Sequence, residues 1–509
     1  MPPETGPGTG RLLHSAVARQ ARIRPDAVAL AEGAVRIGYR TLDHAADTYA
    51  EALRELGVRP GDLVPVGLPR GARLIAVLLA VLKCGAGYAA LDPAQPAHRL
   101  KEIVSRLGAP VLVAPDSVEG AAWADRPRWA PPEEDLAEAA RRRTGPVHTV
   151  VPESSVASVF FTSGTSGRPK GVLSPHAATL RLFGDRPVAG LGPGRVMAQA
   201  APAPWDAFSL EVWGPLTTGG TCAPAPADRM LPDDLRRLRT GSGVDTLWLT
   251  SALFNLFVAE DPDSFRGLRT VLTGGEALSP AHVRSFLRRH PDVELVNGYG
   301  PVESCVFATT HTVRPEDCGL PHGIPIGRPV PGTRTHLVDG EIWVTGDGLA
   351  RGYLADPVAT RSAFTTLTLE GRSLRAYRTG DRGTYDRQGV LHFLGRADRQ
   401  VKIAGHRLEP AGIENVASTV PGIRHCHVLP VPGPGPAGAP DHLALFYTSW
   451  SHDLTAADIR RALAQRLPHY SVPAAVYRVP YLPVTANGKV DPAALLSSLP
   501  SPAAVRNTS

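Results

Sequence analysis

The segment from Thr162 to Gly171, TSGTSGRPKG, concentrates groups that bind phosphate. Its candidate phosphate ligands are Thr162, Ser163, Gly164, Thr165, Ser166, Gly167 and Lys170. Backbone N–H groups that glycine leaves accessible form an anion-binding nest with the hydroxyl groups, and the lysine adds positive charge. The preceding run Val156–Phe161, VASVFF, is typical of a strand. Because the GxxxxGK[ST] spacing of P-loop proteins is absent, the segment predicts a phosphate site of another kind.

Lysine is rare in this chain, so each lysine is a candidate for a specific role. Nearly all of the positive charge is arginine, and the five lysines are Lys83, Lys101, Lys170, Lys402 and Lys489. A compact ammonium on a flexible stem suits contact with a single ligand oxygen, and arginine is not equivalent to it there. The composition therefore directs attention to the lysines.

Length and composition limit the class of protein. A chain of 509 residues is too long for one core, which predicts two to four domains or subdomains. Its net charge of +6, with no basic run interleaved with aromatic residues, argues against nucleic-acid binding. No secretory signal opens the chain, and the apolar run Leu74–Leu82 is too short for a membrane span. Five scattered cysteines without a CxxC pair predict a reducing, cytoplasmic setting and no zinc site.

The elements that must position these groups alternate between helices and strands. Apolar residues in helical spacing predict a helix over Thr41–Leu56, with Gly57 as its C-terminal cap. Leu63–Leu68 is predicted to be a strand and Leu74–Leu82 a buried helix. The alternation continues to about residue 330 and indicates an α/β architecture with parallel sheets.

The C-terminal part of the chain has a different pattern. From about residue 335 short β segments predominate: Thr335–Val338, Glu341–Val344, Leu391–Leu394 and Gln400–Ile403. The last ~110 residues, with a helix predicted over Ala456–Leu467, are long enough for a small α+β domain. Residues 120–150, rich in Pro, Ala, Arg and Glu, are expected to be a surface connection.

The phosphate segment resembles the ATP-binding loop of the adenylate-forming superfamily, which includes acyl-CoA synthetases, luciferases and the amino-acid adenylation domains of nonribosomal peptide synthetases. Further segments are similar to the family's motifs in the family's order: Leu82–Pro93, Trp205–Gly219, Asn297–Glu303, Gly340–Thr360, Tyr377–Asp381, Gly395–Glu414, Leu467–Pro473 and Asn487–Asp491. The resemblance implies an α/β enzyme with a large N-terminal domain, residues 1–396, made of parallel-sheet subdomains and a β-barrel-like subdomain. A small mobile α+β domain, residues 397–509, would follow.

The resemblance also implies how ATP is held. The phosphate ligands named above, including Lys170, would grip the phosphates. Adenine would lie at Asn297, Gly298, Tyr299 and Gly300, where the phenol ring offers a stacking face and the amide suits the exocyclic edge of the base. Asp381 would accept hydrogen bonds from the ribose hydroxyls, with Arg396 near the same nucleotide.

The reacting centre is implied to contain Lys489, Glu303 and Lys170. Lys489 would bridge the substrate carboxylate and the α-phosphate, while Glu303 would hold Mg²⁺ on the ATP phosphates. Asp398 matches the family's hinge, about which the small domain would rotate between two states. Lys402 would lie on the face of that domain toward the incoming thiol arm. Val302 departs from the family, which usually has threonine there, so one hydroxyl that could contact phosphate is missing.

The acid that is activated is predicted to be an amino acid. The resemblance implies that Asp206 occupies the position that pairs with the substrate α-ammonium, and a buried carboxylate needs such a partner. Aligned on the family's motifs, the remaining pocket positions would be Ala207, Leu210, Trp248, Leu272, Gly274, Gly298, Val306 and Phe307. Apart from Asp206 and Lys489 none is charged; Trp248 and Phe307 fill volume and the two glycines leave room. L-Valine is the first candidate, followed by 2-aminobutyrate, isoleucine and leucine.

The expected partner is a separate carrier protein. Only eighteen residues follow Asp491 and no phosphopantetheine serine pattern is present, which predicts a free-standing enzyme that loads a carrier thiol. Some relatives need an MbtH-like protein, and the sequence leaves that dependence open. One alternative is an acyl- or aryl-CoA ligase, which should lack a carboxylate at position 206. Another is a catalytically silent homologue that docks onto a synthetase.

Overall fold

The computed structural model describes residues 11–115, 126–162, 168–184, 187–226, 230–397, 399–433, 440–449, 451, 453–483, 490–497 and 499. The chain divides into two compact units. The first contains residues 1–93, 100–161 and 170–397, and the second contains residues 94–99, 162–169 and 398–509. Among the helices of the described part, none has the length and apolarity that crossing a bilayer requires.

Helices and strands alternate through the first half of the chain. The α-helices of the described residues are α1 (Leu13–Ile23), α2 (Tyr39–Glu55), α3 (Ala72–Lys83), α4 (Ala97–Leu107), α5 (Leu136–Arg141), α6 (His176–Leu180), α7 (Ala207–Thr218), α8 (Pro232–Ser242), α9 (Ser251–Glu260), α10 (Pro280–Arg289), α11 (Pro357–Ala363), α12 (Pro410–Ala417), α13 (Ala456–Ala464) and α14 (Pro492–Ser497). The strands up to residue 329 are β1 (Val28–Glu32), β2 (Val35–Gly38), β3 (Leu63–Val66), β4 (Gly87–Ala90), β5 (Leu112–Val113), β6 (Arg128–Trp129), β7 (Val156–Thr162), β8 (Lys170–Pro175), β9 (Val196–Gln199), β10 (Thr221–Pro224), β11 (Thr246–Thr250), β12 (Thr270–Gly274), β13 (Glu294–Tyr299), β14 (Thr309–Thr312) and β15 (Arg328–Pro329). The later strands are β16 (Thr333–Val338), β17 (Glu341–Gly346), β18 (Phe364–Leu369), β19 (Arg372–Tyr385), β20 (Leu391–Arg396), β21 (Val401–Ile403), β22 (His406–Leu408), β23 (Ile423–Pro432), β24 (Pro440–Ser449) and β25 (Ala475–Arg478).

Two large sheets support the N-terminal part, as the alternating pattern predicts. One has six strands in the order β6-β5-β3-β4-β7-β8. The other has nine strands in the order β15-β14-β13-β12-β11-β9-β10-β1-β2. Its central pairs, from β13 to β1, are parallel, and the antiparallel strands lie toward its edges. Because neighbouring parallel strands end at the same edge, the carboxyl ends of β11, β12 and β13 form one platform.

The nine-stranded sheet has a hydrophobic cluster on each face, because successive side chains of a strand point to opposite faces. Trp248, Leu272 and Val296 occupy one row across β11, β12 and β13, and all three belong to the cluster that includes α7. Their strand neighbours Leu247 and Val271 belong to the other cluster. The row with Trp248 and Leu272 therefore faces the helix that follows Asp206.

The later strands form the β-rich subdomain that the change of pattern predicts. The long strand β19 pairs antiparallel with β17, β18 and β20, and β16 pairs with β17. Asp381 on β19 is directly opposite Arg396 on β20. This pairing brings two residues from different sequence motifs onto adjacent strands.

The second unit contains a three-stranded sheet, β23-β24-β25, and the small pair β21-β22. The strands β23 and β24 pair antiparallel, while β24 and β25 pair parallel. Helices α12 and α13 contribute Ile413 and Ile459 to the core of this unit. A mixed α+β composition for the C-terminal part is confirmed.

The expectation that residues 120–150 are only a surface connection is wrong. Within its described residues, 126–150, this stretch contains β6 and α5. Leu136 and Ala139 of α5 are buried, and Asp135 caps the helix by accepting a hydrogen bond from the Glu138 N–H group. A helix of six residues is too short to show a periodic apolar face, which explains why the pattern was not recognised.

Candidate active site

Tyr299, at the carboxyl end of β13, is hydrogen bonded to Asp381. The Tyr299 hydroxyl donates to Oδ2 of Asp381 at 2.6 Å, and Nη1 of Arg396 lies 2.5 Å from Oδ1. Burial and the neighbouring carboxylate raise the pKa of Tyr299 well above its ordinary value, so the phenol is a neutral donor. The protein therefore brings together three of the predicted nucleotide ligands and fixes the orientation of the Asp381 carboxylate.

Asn297 lies two residues earlier on the same strand and is almost fully buried. Its Nδ2 group donates to the carbonyl oxygen of Pro325 at 2.8 Å. Since a carbonyl can only accept, this contact fixes the orientation of the amide and leaves Oδ1 as the acceptor of the side chain. An amide acceptor matches the exocyclic amino group of adenine, which is a donor.

Glu303, Tyr353 and Lys170 form a second group in the first unit. The Tyr353 hydroxyl donates to Oε1 of the buried Glu303 at 2.8 Å, and the Lys170 Nζ atom lies 5.4 Å from the centre of the Tyr353 ring. The described residues contain no cluster of three or more His, Cys, Asp or Glu side chains suited to a metal. A single carboxylate fits Mg²⁺, which commonly binds through one or two carboxylates together with substrate phosphates. Tyr353, which orients this carboxylate, was not predicted from the sequence.

Asp206 precedes α7 and ties its first turn to a loop a hundred residues away. Oδ1 accepts the Ala207 N–H at 3.0 Å, and Oδ2 accepts the Val306 N–H at 3.2 Å. The side chain is half-buried, and each of its two oxygens accepts a backbone N–H group. The structure thus places negative charge where the predicted pocket begins.

Six of the predicted pocket side chains are buried in one large hydrophobic cluster of the first unit. They are Ala207, Leu210, Trp248, Leu272, Val306 and Phe307. Gly274 pairs with Gly298 across β12 and β13, at the carboxyl ends of the strands. The role of these residues in binding a substrate side chain remains a prediction.

The space that a side chain would fill at either pocket glycine is already occupied by other protein atoms. A Cβ atom at Gly298 would overlap Cε1 of Phe307, and a Cβ at Gly274 would overlap the carbonyl oxygen of Gly298. The absent side chains are therefore replaced by the Phe307 ring and by the backbone of the neighbouring strand. The consequence is a more tightly packed pocket floor than the residue types alone suggest.

Glu211 is a buried acid that the sequence analysis did not single out. Its Oε2 atom accepts N–H groups from Ala200 at 2.9 Å and Ala201 at 2.7 Å, in the segment that leads to Asp206. Burial raises the pKa of the Glu211 carboxyl to about 8. Its position between two apolar residues of the predicted substrate segment is the sequence feature that could have indicated a buried glutamate.

Several predicted residues lie outside the described part of the chain. They are Ser163, Gly164, Thr165, Ser166, Gly167, Asp398 and Lys489. Thr162 is the last residue of β7. The predicted roles of these residues remain predictions.

Comparisons with known proteins show which family the chain resembles. The family model described as "AMP-binding enzyme" matches residues 17–354, and that of the "AMP-binding enzyme C-terminal domain" matches residues 412–489. Malpibaldin synthetase of Mortierella alpina is 34% identical over 92% of this chain and 9% of its own length. Tyrocidine synthase 3 of Brevibacillus parabrevis is 32% identical over 96% of this chain and 8% of its own length. The chain thus spans less than a tenth of either relative.

Solved structures of similar proteins share the fold of this chain. A structure of holo-PA1221, described as a nonribosomal peptide synthetase protein containing adenylation and PCP domains, is 35% identical with a TM-score of 0.86, covering 96% of this chain and 84% of that chain. Klebsiella oxytoca NpsA in complex with 3-hydroxyanthranilyl-AMSN is 27% identical with a TM-score of 0.70, covering 96% of this chain and 99% of that chain. The adenylation-domain fold and its α/β class are therefore confirmed.

Proposed function

This chain belongs to the AMP-binding enzyme family as an adenylation domain of the nonribosomal peptide synthetase type, and we propose that it activates an amino acid with ATP. The products are an aminoacyl-AMP and pyrophosphate. The phosphopantetheine thiol of a carrier protein then takes the aminoacyl group as a thioester, and AMP is released. A carrier domain of this kind accompanies adenylation in the PA1221 structures.

The position of Asp206 is the observation that carries the amino-acid assignment. Its carboxylate accepts the N–H groups of Ala207 and Val306, two residues of the mainly apolar set predicted to line the pocket. An α-ammonium is a substrate group that can pair with a carboxylate at this position, whereas a fatty or aryl acid offers none. The NpsA structures contain aryl adenylate analogues, so an aryl acid is the alternative to be tested.

The residues divide the chemistry between binding and charge stabilisation. Asn297 and Asp381 hold the base and ribose, and Lys170 and Glu303 act at the phosphates, where Mg²⁺ would neutralise charge. The substrate carboxylate attacks the α-phosphorus in line, and the bond to the pyrophosphate oxygen breaks. Lys489 supplies the positive charge at the reacting centre in this proposal.

The residues predicted to line the pocket support a small or medium aliphatic amino acid, with L-valine first. Trp248 is a bulky, buried member of this set, and the Phe307 ring covers Gly298. The indole N–H of Trp248 is buried without a hydrogen-bond partner among the described residues. Threonine, which is close to valine in shape but carries a hydroxyl, is therefore a necessary comparison.

The test is ATP–pyrophosphate exchange across all proteinogenic amino acids, 2-aminobutyrate, benzoic acids and short fatty acids. Valine is expected to give the highest kcat/KM, and its aliphatic neighbours are expected to be within about 10–200-fold. Highest exchange with an aryl acid, or with an aromatic or acidic amino acid, would contradict the proposal. Lys170→Ala should lower exchange at least about tenfold, whereas the same change at the exposed Lys101 should not.

A further inference from the structure

Arg181 is a buried cation beside the predicted amino-acid pocket. It follows α6, and its guanidinium contacts three carbonyl oxygens of one short loop. Nη2 donates to Ser304 at 2.7 Å and to Phe307, and Nη1 donates to Cys305 at 3.3 Å. Nε donates to Oγ1 of Thr333 at 2.9 Å. The donors of this side chain are thus directed mainly at the loop Ser304–Phe307.

The charge of Arg181 is compensated by hydrogen-bonded carbonyl groups and by the longer-range attraction of Asp347. Burial lowers the pKa of Arg181 to about 10, which leaves it protonated at neutral pH. Among the described residues, the guanidinium hydrogen bonds to backbone carbonyls and one threonine hydroxyl and forms no ion pair. Hydrogen bonds from a charged donor are about twice as strong as neutral ones, and removing such a donor leaves buried carbonyls unsatisfied. Loss of Arg181 is therefore expected to loosen the loop.

The loop needs such a restraint because its backbone is strained. Cys305 has a φ of 51° and Val306 a φ of 68°, in the left-handed region that β-branched residues rarely adopt. Strain of this kind persists only where surrounding contacts determine the conformation. Arg181 binds the loop through carbonyl groups, while the Val306 N–H is bound by Asp206.

The space for the guanidinium is provided by Gly348, which follows β17. A Cβ atom at this position would overlap the Cζ and Nε atoms of Arg181. A methyl group there would displace the guanidinium without removing its charge. Gly348→Ala is therefore an independent way to disturb the same contact.

We propose that Arg181 is a positioning residue that sets the affinity and selectivity of the pocket for the amino acid. It holds the Ser304–Phe307 loop so that the Val306 N–H meets Asp206 and the Phe307 ring covers Gly298. This inference rests on the proposed function, because it assigns the loop to the side-chain pocket. The side-chain hydrogen bonds among Tyr299, Asp381 and Arg396 do not involve this loop, so KM for ATP should be little affected.

The test compares Arg181→Met, Arg181→Lys and Gly348→Ala in steady-state exchange. Arg181→Met and Gly348→Ala should each raise KM for the preferred amino acid at least about tenfold, or about 1.4 kcal/mol. KM for ATP and kcat should change less than about threefold. Arg181→Lys should recover only part of the affinity, since an ammonium cannot reproduce the planar fork of donors.

Arg195 provides the matched control. It is mostly buried and donates to Asp245, Thr246 and Thr270 at the amino ends of β11 and β12, the opposite edge of the same sheet. Arg195→Met should lower the melting temperature without changing KM for the amino acid. An equal rise of KM in this control would show that the effect is general destabilisation, and would overturn the proposal.

Hydrogen–deuterium exchange separates this inference from the proposed function, because it requires no substrate. A peptide covering residues 300–312 contains the amides of Val306 and Ala308, which donate to Asp206 and to the Tyr299 carbonyl. It should exchange faster in Arg181→Met and Gly348→Ala, while peptides of the second unit stay unchanged. Unchanged exchange of this peptide would overturn the role of Arg181, even if no amino acid is activated. Faster exchange with an unaltered KM would overturn the link between loop and affinity.

Discussion

Asp206→Asn is the substitution that most directly tests substrate recognition. It removes the negative charge and keeps the size of the side chain. In the proposed function the carboxylate pairs with the α-ammonium, so the variant should lose affinity for amino acids in particular. It should not lose affinity to the same extent for acids without that ammonium.

The magnitude follows from charge and hydrogen bonding. Two unit charges 4 Å apart interact by about 4 kcal/mol at an effective dielectric constant of about 20. Dehydration of both groups cancels part of this, which leaves about 2–3 kcal/mol, or roughly 30- to 150-fold. A second loss is structural: the carboxylate accepts one N–H on each oxygen, and an amide has a single acceptor oxygen. Leaving one N–H of Ala207 or Val306 unsatisfied costs about 1–3 kcal/mol, whatever the substrate.

A double-mutant cycle between protein and substrate removes the structural loss. Wild type and Asp206→Asn are each measured with valine and with 3-methylbutanoate, which is the same acid without the ammonium. Affinity comes from exchange kinetics for valine and from competitive inhibition for 3-methylbutanoate. Damage to the loop affects both ligands and cancels, whereas the charge pair does not. The coupling free energy should be about 2–3 kcal/mol.

A coupling below about 0.5 kcal/mol lies within the usual error of additivity and would refute the pairing. Asp206 would then be a cap for α7 and a tether for Val306, with no contact to substrate. Higher activity of Asp206→Asn on benzoic acids than on any amino acid would favour the aryl-acid alternative. Melting temperatures of both proteins, measured in parallel, report the structural loss alone.

Three further predictions concern buried groups. Burial raises the pKa of Glu211 from 4.5 to about 8, so the folded protein holds this proton more tightly than the unfolded chain and loses stability as pH rises between these values. The melting temperature of Glu211→Gln relative to wild type should therefore be higher at pH 9 than at pH 6. An unchanged difference would contradict the raised pKa. Burial lowers the pKa of His14 to about 3 and of His176 to about 4, so their contribution to stability is fully present above pH 6.5 and falls below it, where the unfolded chain binds protons. The double variant His14→Phe, His176→Asn should show a smaller fall of the melting temperature with decreasing pH. The exposed control His98→Asn should not show this change. Gly298→Ala should raise KM for the amino acid at least about tenfold, because the new methyl group displaces the Phe307 ring. Adding Phe307→Leu should lower KM again in part. An unchanged KM in the single variant would mean that the ring moves aside freely.

Much of the fold was predictable because its signals are local. The helix predicted over Thr41–Leu56 is α2, Tyr39–Glu55, and the buried helix predicted over Leu74–Leu82 is α3, Ala72–Lys83. Periodic apolar residues specify such helices without reference to the rest of the chain. Strand pairing has no such local sequence signal. The pairing of β19 with β17, β18 and β20 cannot be read from the residues of β19 alone. The ends of strands were predicted less accurately: β17 extends to Gly346 instead of Val344, whereas β3 ends at Val66 instead of Leu68.

The members of the candidate site were easier to predict than their contacts. Motif similarity names residues at single positions, and the fold brings Ala207, Trp248 and Phe307 into one cluster. The hydrogen bonds between motifs were not foreseen, such as Tyr353 to Glu303 and the Val306 N–H to Asp206. Those bonds join residues that are 50 and 100 positions apart, and their geometry depends on how loops end on the sheet.

The low number of lysines led to an incomplete conclusion about cations. Lys83 is a buried structural residue that forms ion pairs with Asp43 at 2.7 Å and Asp47 at 2.6 Å. The buried cation nearest the pocket loop is instead Arg181, in a run from His176 to Phe183 that contains no acidic residue. An arginine flanked by two leucines and lacking an acidic neighbour has only distant groups to compensate its charge, and backbone carbonyls suit its fixed fork of five donors. An arginine between apolar residues, with no acidic residue beside it in the sequence, therefore indicates a side chain that fixes a loop through its carbonyl groups. The three donors of a lysine are poorly arranged for this role.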